Sequence, residues 1–239
     1  MCGKPRFYRF RELHRDALQV EYQMHTKWTD GASSVREMLL AAAEKGLTAV
    51  AFTEHIRRDS GWFAEFVREV REEGAAFPEL AVYAGCEAKA LDACGSLDAS
   101  DEALLACDLV LGSVHSFPTA LLDGRTMDQL DESTFAQMEL TLSLGLLRYG
   151  RIDVLAHPGG MTNRRFGGFP VHGYELLMRE SLVRGIAMEI NPTYLNGPGL
   201  YLALAQRINP FVSIGSDAHD TVQIGACRDM LAAYFKSLQ

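Results

Sequence analysis

Seven short apolar runs, each followed by a segment with helical patterning, constrain this chain more than any other feature of its sequence. In order they are VEYQMH from residue 20, LTAVAFT from 47, LAVYAGCEA from 80, DLVLGSVH from 108, IDVLAH from 152, IAMEIN from 186 and FVSIGSDAH from 211. The first alternates, with Val20, Tyr22 and Met24 against Glu21, Gln23 and His25, and the rest are apolar almost throughout. Strands apolar on both faces belong to parallel sheets covered by helices, whereas half-exposed antiparallel strands alternate. The intervening segments suit helices. SSVREMLLAAAEKG has Ser34 and Glu37 at capping-box spacing and Gly46 as its stop. SGWFAEFVREVREEG, TFAQMELTLSLGLLRYG, GYELLMRESLVRG, GLYLALAQRIN and QIGACRDMLAAYFKSL carry apolar residues at helical spacing. EAKALDACGSLDAS is expected as a β-hairpin or ordered loop. With strands and helices alternating and no G-x-G-x-x-G turn, the expected fold is α/β, a closed (β/α)7 barrel rather than an open doubly wound sheet.

Length and composition fit one domain over residues 1–239, with 1–19 as a lead-in. Nearly half of the 239 residues are apolar, and there is no Pro/Ser-rich linker or repeat. No apolar run approaches the roughly 18 residues of a membrane span. The opening MCGKPRFYRFRELHR is basic and lacks the apolar stretch of a signal peptide, so a cytoplasmic location is expected. Cys2, Cys86, Cys94, Cys107 and Cys227 form no C-x-x-C pair and are odd in number, which argues for reduced, mostly buried thiols. A net charge of −8 disfavours an extended nucleic-acid partner. Two or three divalent cations would offset about +4 to +6 of it.

Five of the seven histidines stand at the C-terminal end of an expected strand: His25 in QMHT, His55 in TEH, His115 in SVHS, His157 in AHPGG and His219 in SDAH. Two more strands end near Glu87 and Glu189. One such His is ordinarily a hydrogen-bonded structural residue. Five on separate strands, joined by Glu87 and Asp217, point instead to the mouth of a barrel, where such folds place their sites. Imidazoles with carboxylates are the ligand set of Zn, Mn or Fe.

The ordered series QMHTKWTDG, FTEH, GCEAK, GSVHS, AHPGG and GSDAH resembles the polymerase and histidinol phosphatase (PHP) family of metal-dependent phosphoesterases, from residue 20 to about 236. The resemblance implies a distorted seven-stranded barrel with two or three divalent ions and no organic cofactor. By the same resemblance His25, Glu87 and Asp217 would hold one ion, and Glu87 would bridge to a second on His115 and His157. His55 and His219 would hold a third, with Asp30 as an oxygen ligand. Two departures stand out. Glu54 replaces an Asp, which affects a supporting hydrogen bond. Gln23 replaces the first histidine of the opening motif, and an amide oxygen is a weaker ligand than imidazole.

Such a site would lower the pKa of bound water toward about 7 for in-line attack on phosphorus. Asp30, Glu87 and Asp217 are the carboxylates assigned to catalysis, with Asp30 and the free oxygen of Asp217 as general-acid candidates. Arg57, Arg58, Arg164 and Arg165 lie in strand-end loops and are candidates for clamping substrate phosphate, although solvated surface charge is the plain alternative. Trp62 and Phe63 are candidates for stacking a ring or for a buried helix face. The Gly-rich stretch 159–173 is expected as a mobile lid carrying His172, and Glu189 and Asn191 as hydrogen-bonding support. The leading expectation is a phosphatase for a small phosphomonoester. The alternatives are a nuclease or phosphodiesterase, an amidohydrolase, or a degenerate metal-binding barrel weakened at Gln23.

Overall fold

A computed structural model describes residues 4–238. All seven apolar runs form strands: β2 Val20–Met24, β3 Ala49–Ile56, β4 Ala81–Lys89, β5 Leu109–Ser113, β6 Val154–Leu155, β7 Ala187–Ile190 and β8 Phe211–Ile214. They lie side by side in chain order, and every neighbouring pair is parallel. A two-residue strand, β1 (Tyr8–Arg9), runs antiparallel along β8 with Tyr8 opposite Val212. β2 returns to β8 through the bridge Met24–Ala218, where the His25 N–H donates to the Ala218 carbonyl at 2.9 Å and the Ala218 N–H to that of Gln23 at 3.2 Å. The result is a distorted (β/α)7 barrel whose seam is joined at the C-terminal rim.

Both faces of the strands are apolar for different reasons. Inward, Ala49 and Ala51 of β3, Leu109 and Leu111 of β5, Tyr22, Tyr83, Val154 and Ala187 fill the barrel floor. Outward, Val50, Phe52, Ala84, Val110, Met188 and Val212 meet the helices α1 (Val35–Glu44), α2 (Phe63–Gly74), α5 (Glu132–Tyr149), α7 (Val171–Arg184), α8 (Gly199–Ile208) and α9 (Ala226–Ser237). Each fully buried Leu or Phe in these layers is worth about 1.5–3 kcal/mol. The helix starting at Val35 is capped as expected: the Glu37 N–H donates to Ser34 Oγ at 3.3 Å, and the Ser34 N–H to Glu37 Oε2 at 2.7 Å.

The stretch after β4 makes the expected hairpin, closed by the antiparallel bridge Ala90–Leu97. Other expectations change. Two short helices, α3 (Asp101–Ala106) and α4 (Thr119–Leu122), had no clear periodic signal. Residues 159–173, expected as a Gly-rich lid, hold helical turns rather than one open loop. Gly159 and Gly167, at φ 74° and 83°, bracket helix α6 (Gly160–Phe166), Phe169 is buried, and α7 begins at Val171 with His172 exposed. Cys86 and Cys227 are buried and Cys94 is exposed, all free, whereas Cys2 lies outside the described residues. Among the described residues no helix is long and apolar enough to cross a membrane.

Candidate metal centre

The centre begins with a bulge in β2. Glu21 lies opposite Val50 but Met24 opposite Phe52, so three steps along β2 match two along β3. Tyr22 therefore packs on the barrel floor, Met24 packs outward, and both Gln23 and His25 turn into the mouth. Simple alternation would have put Glu21 on their face. Its carboxylate instead accepts from the Ser216 and Gly225 N–H groups at 2.6 and 3.0 Å, and burial pushes its pKa up to about 7.

After His25 the chain folds back on itself. The Thr29 and Gly31 N–H groups both donate to the Thr26 carbonyl, at 3.1 and 2.9 Å. Only glycine fits at position 31, because a Cβ there would stand 2.2 Å from the His25 carbonyl oxygen. Glu54 holds the turn from β3, accepting from the Thr26 N–H at 2.8 Å and from the hydroxyls of Thr26 and Thr29. The turn sets Asp30 Oδ2 3.5 Å from Nε2 of both His55 and His219. His55 and His219 stack on either side of His25, with ring centres 4.4 and 4.7 Å away.

Glu87, at the end of β4, is the hub. Its Oε1 lies 2.9 Å from His115 Nε2 and 2.8 Å from His157 Nε2, and those two nitrogens are 3.3 Å apart. Its Oε2 lies 3.4 Å from His25 Nε2 and 3.5 Å from His55 Nδ1. Asp217 Oδ1 approaches His25 Nε2 at 3.0 Å. Two of these residues, His157 and Asp217, sit at positive φ, 27° and 52°, a strain of about 1–3 kcal/mol each that clusters at functional sites.

Three sets of donors lie close enough to share an ion: His25, Asp30, His55 and His219; His55, Glu87 and His115; and His25, Glu87 and Asp217. Both ring nitrogens of the fully buried His25, and Asp217 Oδ1, have no hydrogen-bond partner of good geometry. Burial favours a neutral His25, yet Asp217 and Glu87 override it and lift its pKa well above the ordinary value. Burial likewise opposes charge on His157, but Glu87 raises it to about 9. Glu87 itself, which burial would raise, is held well below the carboxylate range by His115 and His157. The buried carboxylates thus favour positive charge among the imidazoles, and a bound divalent ion would supply it. The residues fit such ions.

Around this set lies a buried polar layer. The Glu189 carboxylate accepts the His157 N–H at 2.6 Å, and burial raises its pKa to about 8. Gln23 and Asn191 join it through the hydrogen bonds described below. Glu189 and Asn191 thus sit behind the ligand set, as their positions in the sequence suggested.

The mouth opens into a cavity of about 670 Å³ lined by Asp30, His55, His115, His157, Arg164 and Tyr194, among others. A second cavity of about 350 Å³ shares His55 and His115 and adds Arg57 and Lys89. Of the four candidate arginines, Arg57 and Arg164 line these cavities. Arg58 lines other surface hollows, and Arg165 is drawn off by Asp128 at 2.7 Å and by the rings of Phe135 and Phe166. Trp62 packs on Trp28 and Phe66, and Phe63 is buried, so that pair belongs to the helix face. Tyr194 escaped the sequence reading because its loop, NPTYLNGPG, has no metal-ligand spacing. Its ring stacks on His157 at 4.5 Å beneath the Arg164 guanidinium, in space that Gly160 leaves open.

A parallel barrel gathering five imidazoles and three carboxylates at its C-terminal rim defines a metal-dependent barrel enzyme. Comparison with known proteins makes the class specific. The chain belongs to the PHP family, whose PHP domain model matches residues 21–191. It is 26% identical over 85% of its length to the DNA polymerase/3'-5' exonuclease PolX of Bacillus subtilis, spanning 34% of that protein. It is 24% identical to a "Probable phosphatase" of Caldicellulosiruptor bescii, covering 88% of this chain and 83% of the relative. A third relative, the "Probable phosphatase PBPRB2022" of Photobacterium profundum, is 26% identical over 86% of this chain and 80% of its own. The fold matches the crystal structure of a histidinol-phosphatase-like protein from Listeria monocytogenes with a TM-score of 0.67 at 15% identity, over 86% of this chain and 97% of that one.

Proposed function

We propose that this protein is a metal-dependent phosphatase that releases phosphate from a small phosphomonoester. The observation that carries the reading is the convergence of His25, His55, His115, His157, His219, Asp30, Glu87 and Asp217 on one rim, with the Arg164 guanidinium in the adjoining cavity. Relatives of similar length named as probable phosphatases support it.

His25, Glu87 and Asp217 would hold one ion, Glu87 with His115 and His157 a second, and Asp30, His55 and His219 a third. Two or three ions of Zn, Mn or Fe suit this donor set. Bound there, they supply a water acidified toward about 7 and charge to offset that of the phosphate. The protein does the rest. Arg164 offers a planar fork to two phosphate oxygens from one side, and Arg57 and Lys89 stand on the other. Met161, Thr193 and Tyr194 wall the larger cavity, which sets the leaving group's size. Burial works against charge on Asp30, but His55, His25 and His219 keep it ionised, which suits it to ligation.

The test is phosphate release from p-nitrophenyl phosphate, histidinol phosphate and nucleotides with Mn or Zn added. Turnover of at least one monoester is expected, and silence across the panel with metal bound refutes the proposal. The PolX relative favours a second reading, a nuclease. Shortened products from single-stranded DNA, with monoesters untouched, would select it.

A further inference from the structure

Gln23 sits inside the centre, and a chain of hydrogen bonds that starts on the backbone fixes its orientation. The Thr193 N–H donates to Asn191 Oδ1 at 3.1 Å, Asn191 Nδ2 donates to Gln23 Oε1 at 3.2 Å, and Gln23 Nε2 donates to Glu87 Oε2 at 2.9 Å. A backbone N–H can only donate and an ionised carboxylate can only accept. The polarity of both amides is therefore set from the two ends, and a flip of either side chain breaks bonds on both sides of it. The Gln23 oxygen, its one competent donor atom for a metal, faces Asn191. Its nitrogen, which cannot ligate, faces the ligand carboxylate. Gln23 and Asn191 are at most 1% exposed and Glu87 is 2% exposed, so water is a poor substitute for these bonds.

We propose that Gln23 is a positioning residue and not a metal ligand. It fixes the torsion of Glu87, so that Oε1 stays between His115 and His157 while Oε2 stays beside His25. The buried set is then three protein donors, His25, Glu87 and Asp217. The relay also ties that carboxylate to the loop bearing Thr193 and Tyr194, both of which line the substrate cavity. This inference rests on the reading of the cluster as a metal centre.

The experiment compares wild-type protein with Gln23→Leu, close in volume and without hydrogen-bonding atoms. Metal content is measured after dialysis against Mn²⁺ or Zn²⁺, affinity by competition with a chromophoric chelator, and the visible spectrum after loading with Co²⁺. Gln23→Leu is expected to keep the wild-type number of ions and the cobalt band shape, with affinity lower by about 10- to 100-fold. Loss of a full equivalent with a changed cobalt spectrum would make Gln23 a ligand and overturn the proposal. So would unchanged affinity. Should Gln23→Leu fail to fold, Asn191→Ala takes its place: Gln23 remains but loses its orientation, so affinity falls in the same direction, and no fall overturns the proposal. A wild-type protein that takes up no metal would instead sink the function proposed above.

Discussion

Glu139 offers the sharpest test of how the architecture holds the wall of the Arg164 cavity. It lies on α5, 2% exposed, and accepts from the Met161 N–H at 3.0 Å, the Thr162 N–H at 2.8 Å and the Thr162 hydroxyl. It thereby caps α6, whose own N-cap, Gly159, offers no side chain. Glu139→Ala strands these donors, of which the Thr162 hydroxyl is fully buried. At about 1–3 kcal/mol for each buried unsatisfied group, with solvent recovering part at half-exposed Met161, the loss is about 3 kcal/mol. For a chain of this length that lowers Tm by about 6–12 °C. Urea denaturation with chelator present measures it as a fall in midpoint at unchanged slope. Glu139→Gln, which keeps one acceptor, falls between. Burial raises the Glu139 pKa more than the Thr162 and Met161 donors lower it. The folded state therefore binds the proton more tightly than the unfolded one. The wild-type advantage over Glu139→Gln is full below the unfolded carboxyl pKa, and it shrinks as pH rises through the folded pKa. A Glu139→Ala loss below about 0.5 kcal/mol, or a gap that widens from pH 5 to pH 8, would refute the reasoning.

Gly31→Ala must open the Asp30 turn by about an ångström to clear the His25 carbonyl; metal content should fall and kcat/KM drop about 10²-fold, as read by elemental analysis and steady-state kinetics. Arg164→Ala should raise KM for the phosphomonoester, whereas Arg165→Ala should leave KM alone and lower only Tm, because Arg165 is engaged with Asp128 and two phenyl rings. Tyr201→Phe removes a buried bond to the Glu189 carbonyl at 2.9 Å and should cost about 1 kcal/mol in urea denaturation.

The seven strands and the principal helices were legible because strands covered on both sides admit little but apolar residues, and because helix stops such as Gly46 stand where the periodicity ends. The five rim histidines, Glu87 and Asp217 stood out as candidates for a different reason, since each stands at or just beyond a strand end and strand ends share a rim. Asp30, by contrast, lies in the turn after β2 and is reached only through the family resemblance. What stayed hidden depends on contacts between distant segments. The bulge in β2 inserts one residue into an alternation that otherwise reads cleanly, so Glu21 appears on the wrong face. Glu139 looks like a solvated helix position until α6 is seen to start on it. The glycines at 159 and 167 mark helix ends, yet their density resembles a loop. Arg165 cannot be told from Arg164 by sequence, because one helical step of rotation decides which meets Asp128 and which meets the cavity.

The barrel's seam has a consequence for how the molecule breathes. β2 and β8 are stitched by amides of His25 and Ala218, immediate neighbours of the groups that converge at the rim. The Glu21 carboxylate, accepting from Ser216 and Gly225, adds to this fastening, and the seam opens where these bonds yield. An ion held between His25 and Asp217 would also hold the staves together, so that ion binding and the closure of the seam would share one equilibrium. Deuterium uptake at these two amides, followed with and without added Mn²⁺, is where that shared equilibrium becomes visible.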